Sequence, residues 1–429
     1  MKRRDFIKSS GLLLTAASLP ASAWAGINKR KIRTAHIGVG GMGASDLQSI
    51  SSHPSVEVAA LVDVDATNLA AAAGKFPDAG LYSDYRKMFE EAGRGIDAVV
   101  VSTPDHTHAP ASLLAMEMGK HVYCQKPLTH TVTEARAMRR LAAEKKMATQ
   151  MGIQIHSFRE YRSAVQLIQS GIIGKVHTVR AWSNKNWGND GPLPTGSDPV
   201  PEKLDWNLWL GTGPERPYKD GMYHPVMWRK ILDFGCGTLG DMGVHIFDTP
   251  YSALDLDVPS TVMTSCRNPN GFSHPERNIV TYEFPGTGYT TESLKWVWYD
   301  GEDGPENHED FELPGRDKLP QQGSMFVGEK GRLLLPHWDW PKLIVNGTYE
   351  SVDIPELPEW DHYHQFIDAC LGKDQCSAPF SYASRLSEAI LLGVVANRFP
   401  YRTLHWNNAT SSFDENEANA LLDQPYRSF

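Results

Sequence analysis

Asp241 and His245 stand four residues apart in the stretch 234–248, which reads F-G-C-G-T-L-G-D-M-G-V-H-I-F-D. On a helix that spacing places both side chains on one face. Glycines at 235, 237, 240 and 243 surround them and leave room for a ligand or for close backbone approach. An imidazole beside a carboxylate can take a proton from an alcohol near neutral pH. The same pair also fits half of a metal site or a purely structural contact. Lys126 lies in Y-C-Q-K-P-L, directly after a short strand-like run. A lysine at the carboxyl end of a parallel strand sits where such sheets bind ligands; the competing reading is a solvated surface lysine.

The elements that must position these groups begin at residues 31–38, K-I-R-T-A-H-I-G, an apolar strand pattern running into glycines. Residues 38–43 read G-V-G-G-M-G, a G-x-G-x-x-G fingerprint of Gly38, Gly40 and Gly43 with Gly41 and Met42 inside it. In such a loop the first glycine allows a tight turn and the second lets a pyrophosphate approach the backbone. The third lets the next helix pack on the strand. The helix from Ala44 onward then offers free N–H groups to the phosphates. A second strand, 56–62, ends at Asp63, twenty-five residues after Gly38. A carboxylate at that point hydrogen-bonds the adenosine ribose and repels a 2′-phosphate. Asp65 adds a second acid and no Arg or Lys follows closely, so NAD is expected in preference to NADP. A glycine-rich turn in some other α/β protein is the competing reading; strand, spacing and acid together weigh against it.

Helical patterns at 66–76, 84–92, 109–119 and 132–145 alternate with strand patterns at 96–102, 121–124 and 147–152. The run I-D-A-V-V-V-S at 96–102 is apolar throughout, as a buried parallel strand should be. Residues 26–152 therefore predict a Rossmann domain, a doubly wound parallel sheet. Beyond it, a helix at 161–170 precedes strand-like runs at 176–182, 260–266, 279–284, 290–299, 323–327, 331–335 and 343–345. Several follow one another without helices, which predicts an α/β substrate domain over 153–400 with a large, mostly antiparallel sheet. Segments 188–203 and 300–319 read as long loops that could edge the cleft or a subunit contact. Late helices are predicted near 362–371 and 382–398, and residues 401–429 read as a polar tail.

With the fingerprint, S-T-P-D-H-T-H-A at 102–109 and Y-C-Q-K-P-L at 123–128 resemble the Gfo/Idh/MocA oxidoreductase family, named for glucose–fructose oxidoreductase and inositol dehydrogenase. The resemblance extends over essentially the whole mature chain. That family usually reads T-P-N-x-x-H and E-K-P at these loops, and D-x-x-x-H where Asp241 and His245 stand. The resemblance implies an NAD(P)-dependent oxidoreductase acting on CH–OH groups, with the late helices packing back beside the first domain. It implies that Thr103, Pro104, Asp105, His108, Gln125 and Lys126 join the glycine loop and Asp63 at the cofactor, with Lys126 beside the nicotinamide. It leaves a cis Lys126–Pro127 bond open, since cis bonds are largely confined to X-Pro. His245 is expected as general base, and Asp241 as the group that polarises or positions it or binds a neighbouring hydroxyl. Lys126 is expected to donate to the alkoxide as hydride leaves. The sequence departs from the family at Asp105, where Asn is usual, and at Gln125, where Glu is usual. The second change removes a negative charge next to Lys126 and keeps hydrogen-bonding ability.

Trp182, Trp187, Trp206, Trp209 and Trp228 fall within 47 residues. Trp206 and Trp209, at helical spacing, read as core. Flat aromatic faces and convergent polar groups suit a sugar ring, so Trp182, Asn186, Trp187, Tyr223, Trp228 and Arg229 are candidate substrate contacts, with packing as the competing reading. The small-molecule partner expected is a sugar, polyol or glycoside. Hydride transfer, possible without net redox change on a tightly held cofactor, is the leading chemistry. An NAD-dependent glycosidase working by transient oxidation and elimination is the alternative, and a non-catalytic sugar-binding protein is the third reading.

Residues 2–8, K-R-R-D-F-I-K, followed by the apolar run 11–19 and Ala23-Trp24-Ala25, resemble a twin-arginine signal peptide spanning residues 1–25. Periplasmic or other export is expected, with no membrane anchor after cleavage, because the run is too short to span a bilayer. Four cations and one anion lie in that segment, so its removal takes the formal charge from −9 to −12. So acidic a chain is a poor partner for nucleic acid. Five cysteines form no C-x-x-C pair, and no metal is expected. A homo-oligomer is expected.

Overall fold

Six short, largely apolar strands frame the first domain in the computed structural model, which describes residues 31–302, 304–354 and 356–429. They are β1 Ile32–Ile37, β2 Val56–Val62, β3 Gly80–Tyr82, β4 Ala98–Val101, β5 His121–Gln125 and β6 Thr149–Gly152. Their order is β3-β2-β1-β4-β5-β6, with every neighbour parallel. All four residues of β4, A-V-V-V, are buried, as a strand covered on both faces requires. The order reverses between β1 and β4, which opens a crevice at the carboxyl ends of these strands.

Helices α1 Met42–Ser51, α2 Ala66–Ala73, α3 Tyr85–Ala92, α4 Asp105–Glu117 and α5 Val132–Lys145 connect the strands. Asp65 and Asp84 cap α2 and α3 by accepting the N–H groups of Thr67 and Arg86. Thr131 and Glu134 form a capping box on α5. The sequence pattern places the start of α4 at 109, four residues late. Its first turn is the polar D-H-T-H, and Pro110 inside the helix breaks the local signal. Pro110 has no N–H for the His106 carbonyl; the Thr212 hydroxyl donates to that oxygen instead, at 3.3 Å.

The second domain adds α6 Arg159–Gln169, β7 Val176–Ser183, α7 Trp206–Leu210, α8 Val244–Ala253, β8 Thr261–Cys266, β9 Asn278–Pro285 and β10 Thr290–Asp300. It continues with β11 Gln322–Gly328, β12 Gly331–Pro336, β13 Lys342–Val345, β14 Thr348–Glu350, α9 His362–Cys370 and α10 Phe380–Ala396. It closes with β15 Thr403–Asn407, β16 Ser412–Phe413 and α11 Asn416–Asn419. Ten strands run β14-β13-β12-β11-β7-β10-β9-β8-β15-β16. The β7–β10 pair is parallel and the rest are antiparallel. Ala181 and Trp298 face the main core with Phe247 of α8. Almost every residue of α10 is buried, because it packs between α5 and β6 on one side and β8 and α8 on the other.

Two expectations change here. Segment 300–319 does not edge the cleft: Phe311, Leu313 and Leu319 pack on the opposite face of the sheet, over Trp182, Tyr299 and Met325. Arg180 and Asp310 pair across that layer at 2.5 Å. Residues 401–429, read as a polar tail, form secondary structure of their own. β15 lengthens the sheet beside β8. The chain then returns to the first domain, where Leu422 O accepts from Thr133 N–H at 3.1 Å and Tyr426 Oη donates to Glu134 at 2.7 Å. Several of its polar side chains, Asn407, Asn419, Tyr426 and Arg427 among them, make hydrogen bonds, which hydrophobic periodicity does not register.

Residues 1–25, read as an export signal, lie outside the described residues. No helix among the described residues is long and apolar enough to cross a membrane.

Candidate active site

The glycine loop lies at the carboxyl end of β1. A Cβ on Gly38, whose φ is +82°, would meet Ser102 O at 2.5 Å, and one on Gly43 would meet Gly38 O at 2.1 Å. Turn and helix can approach this closely only without side chains. Gly40 faces the Asn68 amide, whereas a Cβ on Gly41 would meet nothing within 4 Å, and the neighbouring Met42 is exposed. The outer edge of the loop is thus open to a ligand. Asp63 ends β2 beside it: Oδ2 accepts Val39 N–H and Oδ1 accepts Asp65 N–H, each at 2.9 Å. Each oxygen keeps a further lone pair, as ribose hydroxyls require. This cradle and its carboxylate fit a dinucleotide without a 2′-phosphate.

Lys126 leaves the end of β5 through a cis bond to Pro127. Its Nζ donates to Asp241 Oδ1 at 2.8 Å and to the Asp241 carbonyl at 2.9 Å. Arg229 Nε donates to the same Oδ1 at 3.1 Å, and Trp187 Nε1 donates to Oδ2 at 2.7 Å. Burial raises the pKa of Asp241, but Lys126 and Arg229 outweigh it and hold the carboxyl well below the usual range. Asp241 is the ionised hub of the cleft.

His245 shares that region but makes no hydrogen bond to Asp241. The segment Leu239–Gly243 is a π turn ahead of α8, so the regular helical register assumed for the pair does not apply. Its Nδ1 is fully buried without a partner, which leaves Nε2 as the nitrogen available to a ligand. Burial, reinforced by Lys126 and His337, holds its pKa well below the ordinary value, so the ring is neutral near pH 7.

Other residues expected at the cofactor take different places. Thr103 and Pro104 are half-buried at the crevice. Asp105 is turned inward, with Oδ2 accepting Cys236 N–H at 3.1 Å, and burial pushes its carboxyl up to about 7. His108 is a brace between two loops: Nδ1 lies 2.8 Å from Pro127 O and Nε2 lies 2.9 Å from Thr103 O. Burial lowers its pKa to about 4, so the neutral ring donates to one of these carbonyls. Gln125 is buried as well. Its Nε2 donates to both oxygens of Asp46, at 2.8 and 3.1 Å, and its Oε1 accepts Lys126 N–H at 3.2 Å. Asp46 also accepts from Ser102 Oγ at 2.7 Å and Tyr363 Oη at 3.2 Å. An acidic side chain therefore persists beside residue 125 although the residue itself is an amide, and burial raises the pKa of that acid.

Among the expected substrate contacts, Trp187 and Arg229 reach Asp241. Asn186 shapes the adjoining turn through Gly188 N–H, at 2.9 Å. Three do not belong in the cleft. Trp182 points to the opposite face of the sheet, fully buried, with Nε1 on Pro320 O at 2.7 Å. Tyr223 and Trp228 are buried in a separate aromatic cluster with Trp206, Trp209 and Phe234. Trp228 supports the site indirectly, since Arg229 lies 4.2 Å over its ring. The sequence reading missed Asp46 and His337, whose ring centroid lies 6.0 Å from that of His245. An acid three residues past the fingerprint was a faint signal for Asp46; His337 is brought in by tertiary folding alone.

A Rossmann cradle facing a Lys–Asp–His cleft over a second, mostly antiparallel domain defines a two-domain nucleotide-dependent oxidoreductase. Residues 32–153 match the oxidoreductase family profile described as the NAD-binding Rossmann fold, and residues 160–277 match that family's C-terminal alpha/beta domain. The chain belongs to the Gfo/Idh/MocA oxidoreductase family. It is 29% identical over 194 residues to a glycosyl hydrolase family 109 protein of Stenotrophomonas maltophilia, covering 42% of each chain. It is 27% identical over 252 residues to levoglucosan dehydrogenase of Pseudarthrobacter phenanthrenivorans, covering 51% of this chain and 60% of that one. The chain thus spans about half the length of these relatives. The fold is similar to that of the WlbA dehydrogenase of Bordetella pertussis, solved with NADH and UDP-GlcNAcA. The TM-score is 0.62 at 15% identity, covering 88% of this chain and 99% of that one.

Proposed function

We propose that this protein oxidises a secondary hydroxyl of a sugar, polyol or glycoside, and that it works as an exported enzyme that keeps its cofactor through turnover. The observation that carries the reading is a neutral His245 with a free Nε2 next to a lysine held in place by an ionised Asp241. Bound NAD, cradled by the loop at Gly38–Gly43 and by Asp63, supplies the electron acceptor. His245 Nε2 takes the proton of the reacting hydroxyl. Lys126 Nζ gives a hydrogen bond to the same oxygen as negative charge develops on it, the term that usually matters most in such sites. Asp241, fixed by Trp187 and Arg229, keeps the ammonium aimed into the cleft.

Similarity to levoglucosan dehydrogenase supports a carbohydrate alcohol as substrate. Export rests on the resemblance of residues 1–25 to a twin-arginine signal. Retention follows from export, since a periplasmic enzyme has no cytoplasmic nicotinamide pool to draw on. It is also supported by the strap from the second domain across the loop after Asp63. Ala66 N–H donates to Lys203 O at 2.8 Å, Asp205 N–H donates to Val64 O at 2.9 Å, and His224 Nε2 lies 3.0 Å from Asp65 Oδ2.

A second reading, elimination of an aglycone after transient oxidation, is favoured by the glycosyl hydrolase relative. Purified protein incubated with sugars and glycosides separates the two. Reduced-nicotinamide absorbance with a ketone product supports the dehydrogenase, and aglycone release without net reduction supports the glycosidase. Neither response on any sugar or glycoside removes the catalytic reading.

A further inference from the structure

The turn after β12, P-H-W-D-W at residues 336–340, brings a second imidazole and an exposed indole to the catalytic histidine. The His337 ring centroid lies 6.0 Å from that of His245. Tyr161 Oη accepts Trp338 N–H at 2.9 Å and lies 2.6 Å from His337 Nδ1. The Tyr161 hydroxyl can donate to His337 Nδ1, and in that tautomer a neutral His337 carries its proton on Nε2, which is then a donor. Burial lowers the pKa of His337 to about 4, which keeps the ring neutral.

Trp338 extends this arrangement outward. Its indole is 66% exposed and is held 5.4 Å from the His337 ring and 5.3 Å from Phe158. Its backbone sits at φ 69°, the left-handed region that a bulky residue rarely occupies. Such strain persists only where the surroundings impose it, and it concentrates at ligand sites. The turn thus holds a large apolar face toward solvent while Phe158 and His337 pack beside the ring.

We propose that His337 and Trp338 form a second sugar subsite beside His245, so that the substrate is a glycoside of at least two rings. His337 Nε2–H binds a hydroxyl near the reacting one, and the Trp338 indole stacks on the C–H face of the adjoining ring. This rests on the carbohydrate reading above and narrows it from sugars in general to glycosides.

The test is isothermal titration of the NAD-loaded protein with glucose, cellobiose, maltose and p-nitrophenyl β-glucoside. Trp338→Asn keeps a residue that tolerates the left-handed backbone, and Trp338→Phe keeps a flat ring. At least one two-ring ligand is expected to bind about tenfold tighter than glucose. That gain should vanish in Trp338→Asn and return in Trp338→Phe. A second ring that adds nothing, or a gain that survives Trp338→Asn, overturns the subsite while leaving the carbohydrate reading standing. No binding of any of these sugars by the wild type would remove both. A change in light-scattering mass with unchanged affinity would make Trp338 a contact between copies and also overturn the proposal.

Discussion

Lys126 and Asp241 come from different domains and meet twice, with Nζ 2.8 Å from Oδ1 and 2.9 Å from the carbonyl oxygen. Both side chains are largely buried, so removing one leaves the other without its partner. Asp241→Asn is expected to cost about 1–3 kcal/mol of stability, the penalty of an under-satisfied buried group. It should also slow turnover, because Lys126 loses its anchor. Chemical denaturation and steady-state rates check this. An Asn variant with unchanged stability and rate would mean the pair plays no part in either.

Asp63 governs cofactor choice in this account. Asp63→Ala should weaken NAD binding by roughly 1–3 kcal/mol through lost hydrogen bonds to an ionised acceptor. Part of the loss reflects the loop itself, since Asp63 also accepts Val39 N–H and Asp65 N–H. Equilibrium titration of the wild type with both dinucleotides is decisive for the reading of β2: preference for NADP contradicts it.

What was legible in the sequence follows from how local each signal is. Gly38, Gly43 and Asp63 are set by one βαβ unit, so strand pattern and spacing suffice to place them. Lys126 is marked by its position after β5, and its partner Asp241 lies on the next domain. The four-residue spacing of Asp241 and His245 suggested a mutual contact, but the π turn and the cations from other elements redirect Asp241 to Lys126, Arg229 and Trp187. Trp182 and Trp187 looked alike in composition. One lies within β7, whose alternation turns it to the far face, and the other lies past the end of that strand. His337 and Trp338 occupy a turn with no periodic pattern, and only the approach of Tyr161 and His245 gives them meaning.

Acid should destabilise the fold over a defined window. Burial lowers the pKa values of His36, His106 and His274 to about 3, and those of His108, His337 and His362 to about 4. Unfolded histidine takes a proton near pH 6.5. Below that point the unfolded chain binds protons that these rings refuse, so stability present above about 6.5 is lost as pH falls toward 4. Asp105 and Asp300, raised to about 7 and about 8 by burial, act in the opposite sense over part of this range, but six imidazoles outweigh two carboxyls. Melting temperature should therefore drop between about pH 7 and about pH 5. A flat or rising profile would show that these rings are protonated in the folded state.

Cofactor retention has its own readout. Protein purified without added nucleotide and then denatured should release close to stoichiometric NAD, quantified by mass spectrometry. His224→Ala, which removes the partner of Asp65 in the strap, should hasten NAD loss on dialysis. Material that arrives largely free of dinucleotide, and is active only with added NAD, sinks the idea of a held cofactor.

His245 is the group proposed to take the substrate proton, and single-residue kinetics test that role most directly. His245→Ala should lower turnover on the true substrate roughly 10²–10⁴-fold, the range for losing a general base. NAD affinity, measured on the same preparation, should be nearly unchanged, because no cofactor-cradling group is touched. A His245→Ala enzyme that turns over at close to the wild-type rate would contradict the account and take this histidine out of the chemistry.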